Sequence, residues 1–123
     1  MKIRSHRDLD TYQRAFRISM DLFECSKRFP KIEMYSLTDQ VRRSSRSVSA
    51  NLAEAFRKRK YPKAFVAKLM DAEAEAAETQ VWIEYAYHCS YIDQGQFNEW
   101  FKDYDHIIGK LVIMASRPQH WSY

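Results

Sequence analysis

Apolar residues recur every three or four positions in four separate blocks of this chain, and a helix-breaking signal follows each block. In the first block Leu9, Tyr12, Ala15, Phe16, Ser19, Phe23 and Ser26 share one stripe, widened by Ile18, Met20, Leu22 and Cys25. This spacing predicts a helix over about 8–27, capped by Asp8 or Asp10 and stopped at Phe29-Pro30, where proline cannot continue the hydrogen-bond ladder. The second block, Leu37, Val41, Ser44, Val48, Leu52, Ala55 and Phe56, predicts a helix over about 36–59. Ser36 or Thr38 is its expected N-cap, with Asp39 or Gln40 completing a capping-box type of start.

Pro62 suits the first turn of a third helix, about 61–90, striped by Phe65, Leu69, Ala72, Ala76, Thr79, Ile83 and Ala86 and extended by Trp82, Tyr85 and Cys89. Asp93, Gln94 and Gly95 make a turn, with Asp93 placed to cap the fourth helix, about 94–116. Phe97, Trp100, Phe101, Tyr104, Ile107, Ile108, Leu111, Met114 and Ala115 line it before Pro118 ends it. A polar N-terminal arm and a short C-terminal tail flank the four blocks.

The chain has 123 residues, enough for one domain with one core. With two Gly and three Pro it has few places for tight β-turns, and Ala, Leu, Glu, Lys and Arg are good helix formers. The expected fold class is all-α, and short connections imply an antiparallel up-down-up-down four-helix bundle. Cys25 and Cys89 lie far apart without CxxC spacing, no signal peptide is evident, and no apolar run approaches a membrane span. A cytoplasmic protein with no membrane partner is the expectation.

The charge distribution is uneven. Residues 1–63 carry sixteen Lys/Arg against seven Asp/Glu, a balance of +9, and residues 64–123 carry four against nine, a balance of −5. The split implies a polyanion-binding face, or complementary packing of a basic helix on an acidic one. Helix two concentrates the excess. Beside its apolar stripe run Gln40, Arg43, Ser47, Asn51 and Glu54, and its outer side carries Arg42, Arg46, Arg57, Lys58, Arg59, Lys60 and, just beyond it, Lys63. If helices two and three form a hairpin turning near Lys60, Arg43 faces Glu78 and Arg46 faces Glu75.

The stretch QVRRSSRSVSANLAEAF resembles the four-helix-bundle proteins encoded within intervening sequences of large-subunit ribosomal RNA genes, also described as ribosomal-protein-like. Asp8-Leu9, Tyr12-Gln13, Ala15, Phe29-Pro30, Tyr35, Leu37, Gln40, Arg42-Arg43, Ser47-Val48, Asn51-Leu52 and Ala53-Glu54 carry the likeness. Phe65, Lys68-Leu69, Glu75-Ala76, Glu78-Thr79, Trp82 and Tyr91-Ile92 continue it, so that it spans about residues 8–92. Ala55 and Ser90 depart from the family's usual glycines, which implies helices that run on further than is typical. The resemblance implies a ring-like homo-oligomer, a homopentamer, and a distant fold relation to the nucleic-acid-binding accessory protein of diversity-generating retroelements. It brings no catalytic residues.

Two function classes follow. The first is non-enzymatic binding of structured RNA or another nucleic acid by Arg42, Arg46, Arg57, Lys58, Arg59, Lys60 and Lys63, with repetition around a ring supplying multivalency. The second is a protein-interaction or scaffold module whose charge asymmetry serves self-assembly alone. Gln40, Arg43, Ser47, Asn51, Glu54, Glu75 and Glu78 are assigned to assembly under both, because a semi-buried Arg is costly without a paired acid. Glu84 and His88 sit one turn apart but lack the further carboxylates and histidines of a di-iron bundle, and His6, His106 and His120 have no ligand spacing. No metal, cofactor or catalytic set is expected. The two cysteines read as ordinary half-buried thiols.

Overall fold

The computed structural model describes residues 3–122. Four helices dominate it: α1 (Asp10–Ser26), α2 (Leu37–Arg57), α3 (Pro62–His88) and α4 (Gln94–Ser116). Short 3-10 turns at His6–Asp8, Lys31–Glu33 and Pro118–His120 complete the element list, and no strand occurs among the described residues. The four helices pack as a bundle in which α2 lies against α1 and α3, and α4 against α3 and α1. None of the helices is long and apolar enough to cross a membrane among the described residues.

The capping chemistry differs from the sequence expectation at two helix starts. Asp8 does not cap α1. Its carboxylate instead accepts from the Arg4 and Ser5 backbone amides, closing a capping box on the 3-10 turn that precedes α1. At α2 the N-cap Ser36 makes no side-chain cap bond to the helix. Glu33, from the turn before, does that work: its Oε1 accepts from Ser36 Oγ at 2.7 Å and from the Leu37 amide at 3.3 Å. A carboxylate there also suits the positive end of the helix dipole. Asp93 does cap α4, in a capping box with Gln96.

The α2, α3 and α4 stripes bury as their spacing requires. Val48, Leu52, Phe65, Leu69, Ile83, Ile107 and Leu111 are all essentially solvent-free, and each such aliphatic or aromatic side chain contributes about 1.5–3 kcal/mol by leaving water. The first helix is different. Its core face is Ala15, Ile18, Leu22 and Cys25, while Phe16 stays half exposed and Phe23 only partly buried. The buried face takes Leu9, Ala15, Ser19 and Ser26 from the expected stripe and Ile18, Leu22 and Cys25 from its extension, leaving the two phenylalanines at the edge. On α3 the proposed extension also fails to bury, for Tyr85 and Cys89 are exposed.

The α2–α3 register is fixed by named pairs. Glu54 meets Lys68 at 3.1 Å, Ser44 meets Thr79 at 2.9 Å, and Arg43 meets Glu78, so partner numbers fall on α3 as they rise on α2. At the two departures from the family's glycines, α2 runs past Ala55 to Arg57, whereas α3 ends before Ser90. Ala55 is buried inside α2, and α3 stops at His88 with Ser90 in the left-handed region at φ 65°. The Tyr91 amide then bonds the Ala86 carbonyl at 2.8 Å and the Ser90 amide the Tyr87 carbonyl at 2.9 Å, the pattern of a Schellman stop. Serine pays the steric cost that glycine would avoid at this position.

Candidate nucleic-acid interface

The basic residues of α2 divide into an aromatic-bound group and a terminal cluster. Arg42 and Arg46 are one turn apart and so share a flank of α2, the flank toward α1. The Arg42 guanidinium lies 4.8 Å and that of Arg46 5.3 Å from the Phe23 ring centroid, and Lys27 Nζ approaches the same ring at 4.9 Å. Arg42 Nε also donates to Ser26 Oγ at 2.8 Å. At the end of the helix the Arg59 guanidinium stacks 3.6 Å over Phe56 while its Nε donates to the Phe56 carbonyl. Arg57, Lys58, Lys60 and Lys63 are exposed around the α2–α3 turn.

In charge pairing these residues differ from Arg14, Lys27, Arg43 and Lys68, each of which meets a carboxylate. Among the described residues, Arg42, Arg46, Arg57, Lys58, Lys60 and Lys63 form no ion pair with a carboxylate. Arg14 of α1, by contrast, bonds Asp103 of α4 at 3.0 Å. A guanidinium held over a ring keeps its full charge and its edge N–H donors, and the contact itself is worth about 0.5–2 kcal/mol.

The flank of α2 toward α3 gathers the residues assigned to assembly. Arg43 binds Glu78 closely and Glu75 at 3.4 Å, and its Nε donates to Gln40 Oε1 at 3.4 Å. Trp82 Nε1 donates to Glu78 Oε2 at 3.1 Å. Further along, Asn51 Nδ2 donates to the Ser47 carbonyl and hydroxyl, and Glu54 pairs with Lys68. Arg46 does not reach Glu75, contrary to the expected pairing. It projects from α2 on the α1 side of Arg43, whereas Glu75 and Glu78 are near neighbours on α3 that a single Arg can clasp.

Near the start of this flank a groove of about 550 Å³ is lined by Glu33, Ser36, Leu37, Gln40, Trp82, Tyr85 and Cys89. Tyr91 OH donates to Glu33 Oε2 at 2.8 Å. Hydrogen bonds from the Ser36 and Tyr91 hydroxyls hold the Glu33 carboxyl below its usual range, and the Glu33 bond pushes Tyr91 up to about 12. The thiols are not alike: burial pushes the Cys25 thiol up, while Cys89 stands exposed. No three His, Cys, Asp or Glu side chains come together as a metal set among the described residues.

Sequence reasoning missed Phe16 and Phe23 as surface residues, having placed both in the core. The available signal was the extension Ile18, Leu22 and Cys25, whose spacing is equally helical and whose members are smaller and more easily buried.

Three comparisons bear on this arrangement. A family model described as 23S rRNA-intervening sequence protein matches residues 7–112. Among solved structures, the chain is similar to a protein of unknown function from the S23 ribosomal protein family of Bacteroides thetaiotaomicron VPI-5482. The two are 24% identical, the match covers 85% of this chain and 97% of the other, and the TM-score is 0.77, a likeness of fold. No curated protein matches the chain.

Proposed function

The chain belongs to the 23S rRNA-intervening sequence protein family, and from that premise we propose that it is a non-enzymatic, cytoplasmic RNA-binding protein built as an antiparallel up-down-up-down bundle. Its binding surface is the outer side of α2, Arg42, Arg46, Arg57, Lys58, Arg59, Lys60 and Lys63, repeated around a ring of identical subunits, a homopentamer. The observation that carries this reading is the clustering, on α2 and the turn after it, of six cations that form no ion pair among the described residues, while Arg14, Lys27, Arg43 and Lys68 all have carboxylates. Unpaired cations release phosphate counterions on binding without first breaking an internal salt bridge.

Recognition of this kind is led by shape and charge, since no base-reading motif is present. Repetition in a ring multiplies the effective concentration of each basic surface. Binding of a structured RNA to the full chain, measured on filters over a salt series, tests the proposal. Affinity should fall steeply and log-linearly with salt; no retention at low salt overturns it. Light scattering should give a mass several times the 14.7 kDa of one chain, and a monomeric mass overturns the ring.

A second reading, a protein-interaction or scaffold module, is favoured by one set of observations. The exposed Tyr85 lines the groove together with Trp82, and Arg43 is paired with Glu75 and Glu78 next to it. Aromatic surface of this type, with its arginine paired, is what subunit contacts use. On this reading the ring forms, and RNA is not retained at any salt.

A further inference from the structure

We infer that the α1–α2 face holds unpaired bases of RNA, stacking them on an aromatic row of α1 while α2 arginines take the adjoining phosphates. The inference rests on the RNA-binding reading above and specifies which part of an RNA is bound. Four observations carry it. Phe16 is 50% exposed and Met20 46% exposed, and Phe23 follows on the same side of α1. Phe16 and Phe23 are seven residues apart, two helical turns, which places them roughly 10 Å apart along one line. Phe16 is steadied from behind by Tyr12, with ring centroids 6.0 Å apart, and Tyr12 in turn by an edge contact with His6 at 4.8 Å.

Beside this row stand Arg42 and Arg46, both over Phe23 and neither paired with a carboxylate among the described residues. Positions 12, 16, 20 and 23 of α1 and positions 42, 46, 50, 53 and 57 of α2 include no acidic residue.

Singly exposed apolar residues are ordinary on protein surfaces. An exposed Phe16 ring on the same side of the helix as an arginine-covered Phe23 is a different object, because it offers an open π-face beside phosphate donors. Paired RNA hides its bases in the stack and presents backbone and a shallow minor groove, so it can use the arginines and not the rings. Loops and unpaired stretches can use both, and stacking is indifferent to base identity because every base has a π-face. The ligand class is therefore single-stranded RNA or the loops of a folded RNA. A protein partner would equally cover Phe16 but has no need of unpaired arginines beside it; the charge complementarity favours the polyanion.

The experiment compares binding of a short unstructured oligouridylate and a fully paired RNA duplex to the full chain at low salt, for the wild type and for Phe16→Ala and Phe16→Tyr. Loss of one stacking platform should weaken oligouridylate binding about fivefold or more, with the salt slope and duplex binding unchanged, and Phe16→Tyr should restore it. Equal oligouridylate binding by wild type and Phe16→Ala overturns the inference. So does a change of molecular mass in Phe16→Ala by light scattering, which would assign the face to contact between subunits. Retention of the duplex without the oligouridylate removes this inference and leaves the RNA-binding function standing. If neither RNA is retained, both fall.

Discussion

On its α3 flank, α2 sets Arg43 between Glu75 and Glu78; on its α1 flank, it sets Arg42 and Arg46 over the Phe23 ring, where neither forms an ion pair among the described residues. The residue type is the same and the consequences are opposed. A guanidinium clasped by two carboxylates spends its charge inside the molecule and fixes how two helices meet. One laid on an aromatic ring is held in place without being neutralised, and remains available to an outside anion. Total charge, +4 for the chain, does not distinguish the two flanks. The partner of each cation does.

The comparison can be broken at the α3 flank first. The Thr79 hydroxyl hydrogen-bonds both Ser44 Oγ and the Glu75 carbonyl, and both side chains are solvent-free. Thr79→Val strands a buried Ser44 hydroxyl and should cost about 1–3 kcal/mol in denaturant unfolding, leaving RNA binding intact. A stability equal to wild type would mean that the seam is not organised by this pair.

A smaller effect separates the two arginines. Arg43→Ala removes a half-exposed double ion pair and leaves Glu75 and Glu78 repelling one another, for a loss of about 0.5–1 kcal/mol and a fall of a few degrees in Tm. Arg46→Ala gives up an exposed ring contact worth about 0.5 kcal/mol. The thermal melts should therefore rank Arg43→Ala below Arg46→Ala, and the reverse order would contradict the assignment of flanks.

The smallest effect is a pH dependence confined to the α3 flank. The Glu33 carboxyl titrates below its unfolded value because hydroxyls donate to it. Its contribution to stability is therefore complete above the unfolded value, near 4.3, and is lost as pH falls through the lower folded value. Tyr91→Phe deletes one donor, so the Glu33 titration followed by NMR should move up toward that ordinary value. An unmoved titration would show that Ser36 and the Leu37 amide suffice.

The four helices were legible in the sequence because three of them carry one dominant apolar stripe each. Arg43 with Glu78 was legible too, because a hairpin turning near Lys60 leaves little freedom in register. What could not be read was the rotation of α1. Phe16 and Phe23 sit on a helical stripe as regular as that of Ile18, Leu22 and Cys25, and periodicity alone does not say which stripe faces inward. Packing decided it, through the fit of smaller side chains against α2 and α4. The same rotation sent Arg42 and Arg46 to an aromatic partner, since Phe23 lies where a carboxylate would otherwise have been expected. Helix caps were misplaced for a local reason: Glu33 lies outside the helix it caps, in a turn that apolar spacing does not reveal.

The central claim is that cations on the α1 flank of α2 act outward and those on its α3 flank act inward. It is tested most directly by filter binding of one structured RNA to Arg42→Glu/Arg46→Glu and to Arg43→Glu, with folding of each checked by circular dichroism. The double reversal should lower affinity at least tenfold at low salt and flatten the salt slope by about 1.4–1.8 for two lost phosphate contacts, while Arg43→Glu leaves the slope unchanged. Equal losses in folded forms of both variants, or a slope unchanged by the double reversal, would contradict it.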